Sequence, residues 1–125
     1  MNRFLAVTAA IEAAAGLGLV ALPDVVVKLL LGADISGAAV PLGRVAGVAL
    51  LALGLASGLA RGRAATALTT ASAMLLYNCG VAAVLGMAGV SGMTGVLLWP
   101  AIALHAAMAV WSLMTRPRGV SSASI

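Results

Sequence analysis

Apolar positions in this chain come in long runs, without the polar face that a soluble amphipathic helix repeats every three or four residues. The runs cover about 4–22, 42–60, 64–87 and 95–114, each close to the roughly 20 residues that carry a helix across a bilayer. Pro23 and Asp24 end the first run. The basic turn Arg61-Gly62-Arg63 divides the second from the third, and small residues around Gly89, Ser91 and Gly92 divide the third from the fourth. Between the first two runs lies a shorter stretch, Val25 to Leu31, apolar except for Lys28 and closed by Gly32. It is too short to span, and it predicts an interfacial helix over about 24–31 with Asp24 as its N-cap and Lys28 reaching the headgroups. A linker with Asp34, Ser36 and Gly37 leads from there to Pro41, and Pro117 and Arg118 lead into a tail, 119–125, expected to be flexible. The predicted fold is all-α: an integral membrane four-helix bundle with a short interfacial helix between spans 1 and 2, forming a single domain over 1–118.

The first run has the look of a secretory signal, with Arg3 ahead of an apolar stretch and small residues behind it. Glu12 interrupts that stretch, and the rest of the chain is equally membrane-like, so the segment reads as a retained first span.

Composition sharpens this picture. Hydrophobic residues make up 63% of the chain and charged residues 8%, against about 25% charged in an ordinary soluble domain. Four soluble helices could not each be given a polar face, which excludes a soluble globular domain, a disordered chain and a coiled coil. The net charge of +4 does not point to nucleic acid, because the basic residues are sparse and aromatics make up 3%. The lone Cys79 excludes an internal disulfide and a cysteine-based metal site, and its place in the third span reads as that of a small buried hydrophobe. The preference for arginine over lysine and the abundance of alanine point to a GC-rich bacterial genome, hence to a bacterial cytoplasmic (inner) membrane.

The basic residues set the orientation. Arg3, Arg61, Arg63, Arg116 and Arg118 fall on one side of a four-span chain, and Lys28 and Arg44 on the other, which predicts both termini in the cytoplasm. Trp99 with Pro100 then lies near the outer end of the fourth span and Trp111 near its inner end, as an aromatic belt expects.

Two sets of residues stand out on the helix faces. Gly43, Gly47, Gly54 and Gly58 fall within roughly 60° of one another at about 100° per residue. Such a stripe lets a helix approach closely, either another span of the same chain or the second copy in a homodimer. The other set is polar. Glu12, Asn78 and His105 each lie about 13–15 Å from the outer end of their spans at about 1.5 Å per residue, near the bilayer midplane. Small residues flank each of them, Thr8, Ala15 and Gly16 beside Glu12 and Ala101, Ala109 and Ser112 beside His105, as on a packed interior face. An ionisable group at that depth costs about 2.5–3.5 kcal/mol on insertion scales, so Glu12 is retained because it is neutral, paired with Arg44 or His105, or useful. The useful case is a site for a proton or small ligand with Glu12 and His105 as its titrating groups and Asn78, Tyr77 and Arg44 as its further candidate residues; the plainer one is hydrogen bonding between helices. The plainer reading for Arg44, which sits higher, is a side chain that reaches the outer headgroups, and for Tyr77 it is core packing with a satisfied hydroxyl.

The sequence lacks HExxH, GxSxG and P-loop motifs, and a single histidine cannot ligate a haem from two sides in one chain. No cofactor, metal site or enzymatic activity is expected. The expected partners are the lipid bilayer and either a second copy or a larger membrane complex.

The order of features, Glu12 with Gly16, Pro23, the Lys28-Leu29-Leu30-Leu31-Gly32 run, Arg44-Val45-Ala46-Gly47, Tyr77-Asn78, Leu98-Trp99-Pro100 and His105, resembles small uncharacterised bacterial four-span membrane proteins, loosely DoxX-like. The resemblance implies a four-helix membrane bundle and no particular activity. Ala10-Ile11-Glu12 followed by Gly16 is also similar to the first helix of small multidrug-resistance transporters. The long first loop, the third span without tryptophan and the scarcity of aromatics depart from that pattern. The sequence thus predicts an accessory or ligand-sensing membrane component with a mid-membrane polar site. A dimeric proton-coupled small-molecule exporter using Glu12 is the alternative.

Overall fold

The computed structural model describes residues 1–116 and contains five helices: α1 Asn2–Ala21, α2 Pro23–Leu31, α3 Ala39–Ala60, α4 Ala64–Val90 and α5 Leu98–Met114. No strand occurs among the described residues. The chain is all-helical, and α1, α3 and α4 are each long and apolar enough to cross a membrane. A helix satisfies its backbone polar groups internally, which is what an apolar environment demands. The expected tail at 119–125, and Arg118 with it, lies outside the described residues.

The helices associate as two tight pairs, α1 with α3 and α4 with α5, which meet each other more loosely. Glycine makes the first pair. A Cβ on Gly16 would lie 2.7 Å from the Gly47 carbonyl oxygen, and a Cβ on Gly47 would lie 2.7 Å from the Gly16 carbonyl oxygen. The backbones touch there, and no other residue fits. Gly54 similarly abuts Ala9 and Ala13, Gly43 abuts Pro23, and Gly58 faces Ala9 at 3.9 Å. The stripe on α3 is therefore filled by this chain's own α1 and α2.

The end of the bundle that holds Met1 and the α3–α4 turn is close-packed. Phe4, Leu5, Ala60, Ala67, Ala71, Met74 and Met108 form a buried cluster there. Phe4 meets Trp111 edge to face, with ring centroids 5.7 Å apart, a favoured aromatic geometry. Ser112 Oγ donates to the Ala71 carbonyl at 2.8 Å and ties α5 to α4. Gly62 N donates to Asn2 Oδ1, which fixes the turn to the start of α1.

At the other end α2 lies across the bundle. Its boundaries need a correction: Pro23 is its first residue, Asp24 lies in the first turn, and Leu22 at the N-cap offers no side-chain cap. Proline suits the first helical turn, where its missing N–H has no partner to lose. Gly32 closes α2 at φ +72°, a left-handed conformation that favours glycine. The exposed Lys28 makes an ion pair with Asp34 at 2.8 Å. The hydrogen bond to Asp34 and its charge hold the Lys28 ammonium pKa above the ordinary lysine value.

The fourth apolar run also begins later than predicted. Residues 95–97 are not in α5, because they dock on the end of α2: Leu97 N donates to the Leu29 carbonyl at 2.8 Å. Gly95 sits directly against the Leu30 carbonyl, with no space for a Cβ. What remains for α5 is 17 residues, apolar but short. Cys79 is exposed on the outside of α4, not buried as expected, because its neighbour Asn78 takes the inward position. One residue further along a helix turns the side chain by about 100°.

Candidate functional site

Glu12 occupies the middle of α1 and is 3% exposed. Tyr77 and Asn78 lie near the middle of α4, and their one-residue offset sends them to different neighbours. Tyr77 turns toward α1 and its hydroxyl donates to Glu12 Oε2 at 3.2 Å. Asn78 turns toward α5, where its Oδ1 lies 2.8 Å from His105 Nδ1. The two arms meet through the rings: Tyr77 and His105 stand edge to face with centroids 5.7 Å apart. Three helices thus contribute one connected polar cluster.

The cluster stands beside a cavity of about 640 Å³ between the two helix pairs, within the range of about 300–1,000 Å³ typical of small-molecule sites. Glu12, Tyr77 and His105 line its polar end. From there it extends toward α2 between Ala15 and Leu19 of α1, Ala46 to Leu53 of α3, Val81 and Leu85 of α4, and Ala101 of α5. Val26 and Leu30 of α2, with Leu97 of the docked turn, border its far end. The bundle is therefore solid on one side of the polar cluster and hollow on the other.

Hydrogen bonding orients the cluster. Asn78 Nδ2 donates to the Met74 carbonyl at 2.7 Å, one helical turn back. This leaves Asn78 Oδ1 to accept from His105, so the ring hydrogen sits on Nδ1 and Nε2 of the neutral ring keeps its lone pair. Among the described residues neither His105 Nε2 nor Glu12 Oε1 has a protein partner, yet neither is sealed from the cavity. Those two atoms are what the site presents to an occupant.

Arg44 is not part of this cluster. It is exposed on α3, and among the described residues the one ion pair is Lys28 with Asp34. Glu12 is partnered by Tyr77, not by Arg44 or His105 as the sequence allowed. Tyr77, a candidate from the sequence for either the core or the site, bridges the carboxyl and the imidazole. Gly43, Gly47, Gly54 and Gly58 lie on the α1 side of α3, and Gly54 touches the Cβ of Glu12 at 3.4 Å, so the stripe helps to hold the carboxyl in place. The buried hydroxyls of Thr8 and Ser57 have no hydrogen-bond partner among the described residues, and nothing in the structure explains them. No three His, Cys, Asp or Glu side chains gather among the described residues.

Comparisons with family models, with curated proteins and with solved structures return no match for the chain.

Proposed function

We propose that this chain is a four-span protein of a bacterial cytoplasmic membrane that holds a small molecule between its two helix pairs. In this reading it acts as a ligand-sensing or accessory component of a membrane assembly and is not an enzyme. The observation that carries the reading is the cavity of about 640 Å³ with Glu12, Tyr77 and His105 at its polar end. An ionisable residue that deep in a span is a functional-site candidate by its cost alone.

Several features support four spans with cytoplasmic termini. α5 is at the lower limit of a span, about 25 Å long at about 1.5 Å per residue. Arg3, Arg61, Arg63 and Arg116 share the close-packed end of the bundle, whereas Lys28 and Asp34 lie at the α2 end. The position of α2 at that end, with a lysine and two aspartates near it, suits an interfacial helix. The loosely DoxX-like resemblance agrees with a four-helix bundle.

Gentle extraction followed by identification of co-purifying chains tests the accessory role. A stable heteromeric partner is expected, and a chain that always purifies without one contradicts that role.

One observation favours the exporter as a second reading. Glu12 is a mid-span carboxyl open to a cavity and has no cation beside it among the described residues. An exporter of this kind requires that Glu12→Gln insert normally yet abolish proton-coupled uptake in vesicles. Unchanged uptake removes the exporter.

A further inference from the structure

We propose that the cavity takes a small lipophilic alcohol, whose hydroxyl donates a hydrogen bond to His105 Nε2 while its hydrocarbon body fills the space toward α2. This rests on the reading that the cavity holds a ligand and names the class of that ligand.

The hydrogen-bond relay fixes what the polar end can recognise. Asn78 Nδ2 is committed to the Met74 carbonyl at 2.7 Å, and His105 Nδ1 is committed to Asn78 Oδ1 at 2.8 Å. The Tyr77 hydroxyl hydrogen is committed to Glu12 Oε2 at 3.2 Å. The hydrogens of Tyr77 and of His105 Nδ1 and one N–H of Asn78 are thus engaged within the protein, the buried Asn78 does not line the cavity, and His105 Nε2 offers a lone pair. A ligand with an O–H or N–H satisfies it. An ether, an ester or a ketone can accept only from a protonated Glu12 carboxyl and leaves Nε2 without a partner, which is the more costly outcome.

Dehydration then separates an alcohol from an ammonium. The cavity wall is apolar apart from Glu12, Tyr77 and His105. A hydroxyl with one good hydrogen bond enters such a space at modest cost, whereas an ammonium must leave its hydration shell. Pairing the ammonium with the buried Glu12 often fails to offset that loss. Shape narrows the class further. The polar end lies at mid-height and apolar residues lead from it toward α2, the reverse of a bilayer lipid with its headgroup at the surface. The occupant has one polar end and an apolar end beneath Val26 and Leu30, as a single-chain or compact ring alcohol does.

Photolabelling of the full chain in lipid nanodiscs with a diazirine-bearing decanol tests the class, with labelled residues mapped by peptide sequencing. Competitors are 1-decanol, its methyl ether, decane and decylammonium. Labelling is expected on cavity residues of α1, α4 and α5, with 1-decanol displacing the probe at concentrations about tenfold below those of the methyl ether. The Asn78→Leu variant releases the ring hydrogen to either nitrogen and should bring that ratio toward one while labelling persists. Labelling in the cavity with the ether or decane competing as well as the alcohol overturns the alcohol class and leaves the ligand reading standing. Stronger competition by decylammonium overturns it in favour of ion pairing at Glu12. An alcohol-to-ether ratio in Asn78→Leu equal to that of the native chain overturns the relay on which the class rests. Absence of cavity labelling overturns the class together with the ligand reading.

Discussion

His105 Nδ1 and Asn78 Oδ1 lie 2.8 Å apart, and the second bond of Asn78, to the Met74 carbonyl, decides which of the two donates. A helix backbone thereby sets the tautomer of a ring on another helix. The neutral ring should carry its hydrogen on Nδ1, and nitrogen NMR of labelled His105 reads this directly. In Asn78→Leu the preference should be lost; a tautomer that stays fixed in that variant shows that something other than Asn78 holds the ring.

The bond from Tyr77 to Glu12 should contribute little to stability. Hydrogen bonds between membrane helices average about 0.6 kcal/mol and reach about 1.7. Tyr77→Phe keeps the ring and its edge-to-face contact with His105, so unfolding in mild detergent should change by an amount in that range. A loss several times larger would mean that Tyr77 carries packing that the hydroxyl does not explain.

The crossing of α1 and α3 should be the most sensitive point in the fold. Gly47→Ala places a Cβ 2.7 Å from the Gly16 carbonyl oxygen and 2.8 Å from Val20 N. Backbone cannot yield as a flexible side chain does, so a cost of about 1–3 kcal/mol is expected, the usual range for overpacking. Gly80, which has open space around it, should accept alanine with no loss, and helix propensity favours it by up to about 1 kcal/mol. Equal effects at the two positions would contradict the crossing.

The contact between α2 and the α4–α5 turn should depend on Gly95. A Cβ there meets the Leu30 carbonyl. Gly95→Ala should therefore detach α2 and break the bond from Leu97 N to Leu29. Hydrogen exchange of α2 reports this: faster exchange confined to α2 and residues 95–97 is expected, and unchanged protection rules out the contact as the element that holds α2.

The pair Lys28–Asp34 gives a small pH dependence at high pH. Its ammonium titrates higher in the folded protein than in the unfolded chain. The stabilisation is therefore fully present below the unfolded value near 10.5 and is lost as the pH rises through the folded value. Both side chains are exposed, so the effect on stability is slight. Side-chain NMR of Lys28 should place its midpoint above that of the Asp34→Asn variant; identical midpoints would show that the pair does not persist in solution.

Much of the helical order was legible in the sequence, because long apolar runs divided by Pro23, Gly32 and Arg61-Gly62-Arg63 leave the backbone little choice. The start of α5 was not, since nothing in Thr94-Gly95-Val96-Leu97 shows that these residues are held by α2. Spacing put the glycines of α3 on one face, but only the structure supplies α1 as what they meet. At the polar site, depth arithmetic singled out Glu12, Asn78 and His105. The partner of Glu12 could not be found that way, because the direction of Tyr77 depends on how α4 is rotated against α1. The cavity left no signal beyond a scatter of alanines, as hollowness depends on how two helix pairs meet.

In the proposed function the space beside Glu12, Tyr77 and His105 holds a small molecule. The most direct measurement is native mass spectrometry of the chain released from its own membranes in mild detergent, beside an Ala101→Trp variant that fills the cavity. An added mass of small-molecule size is expected on the native chain and not on the variant. A native chain that emerges bare, or the same added mass on both proteins, contradicts it.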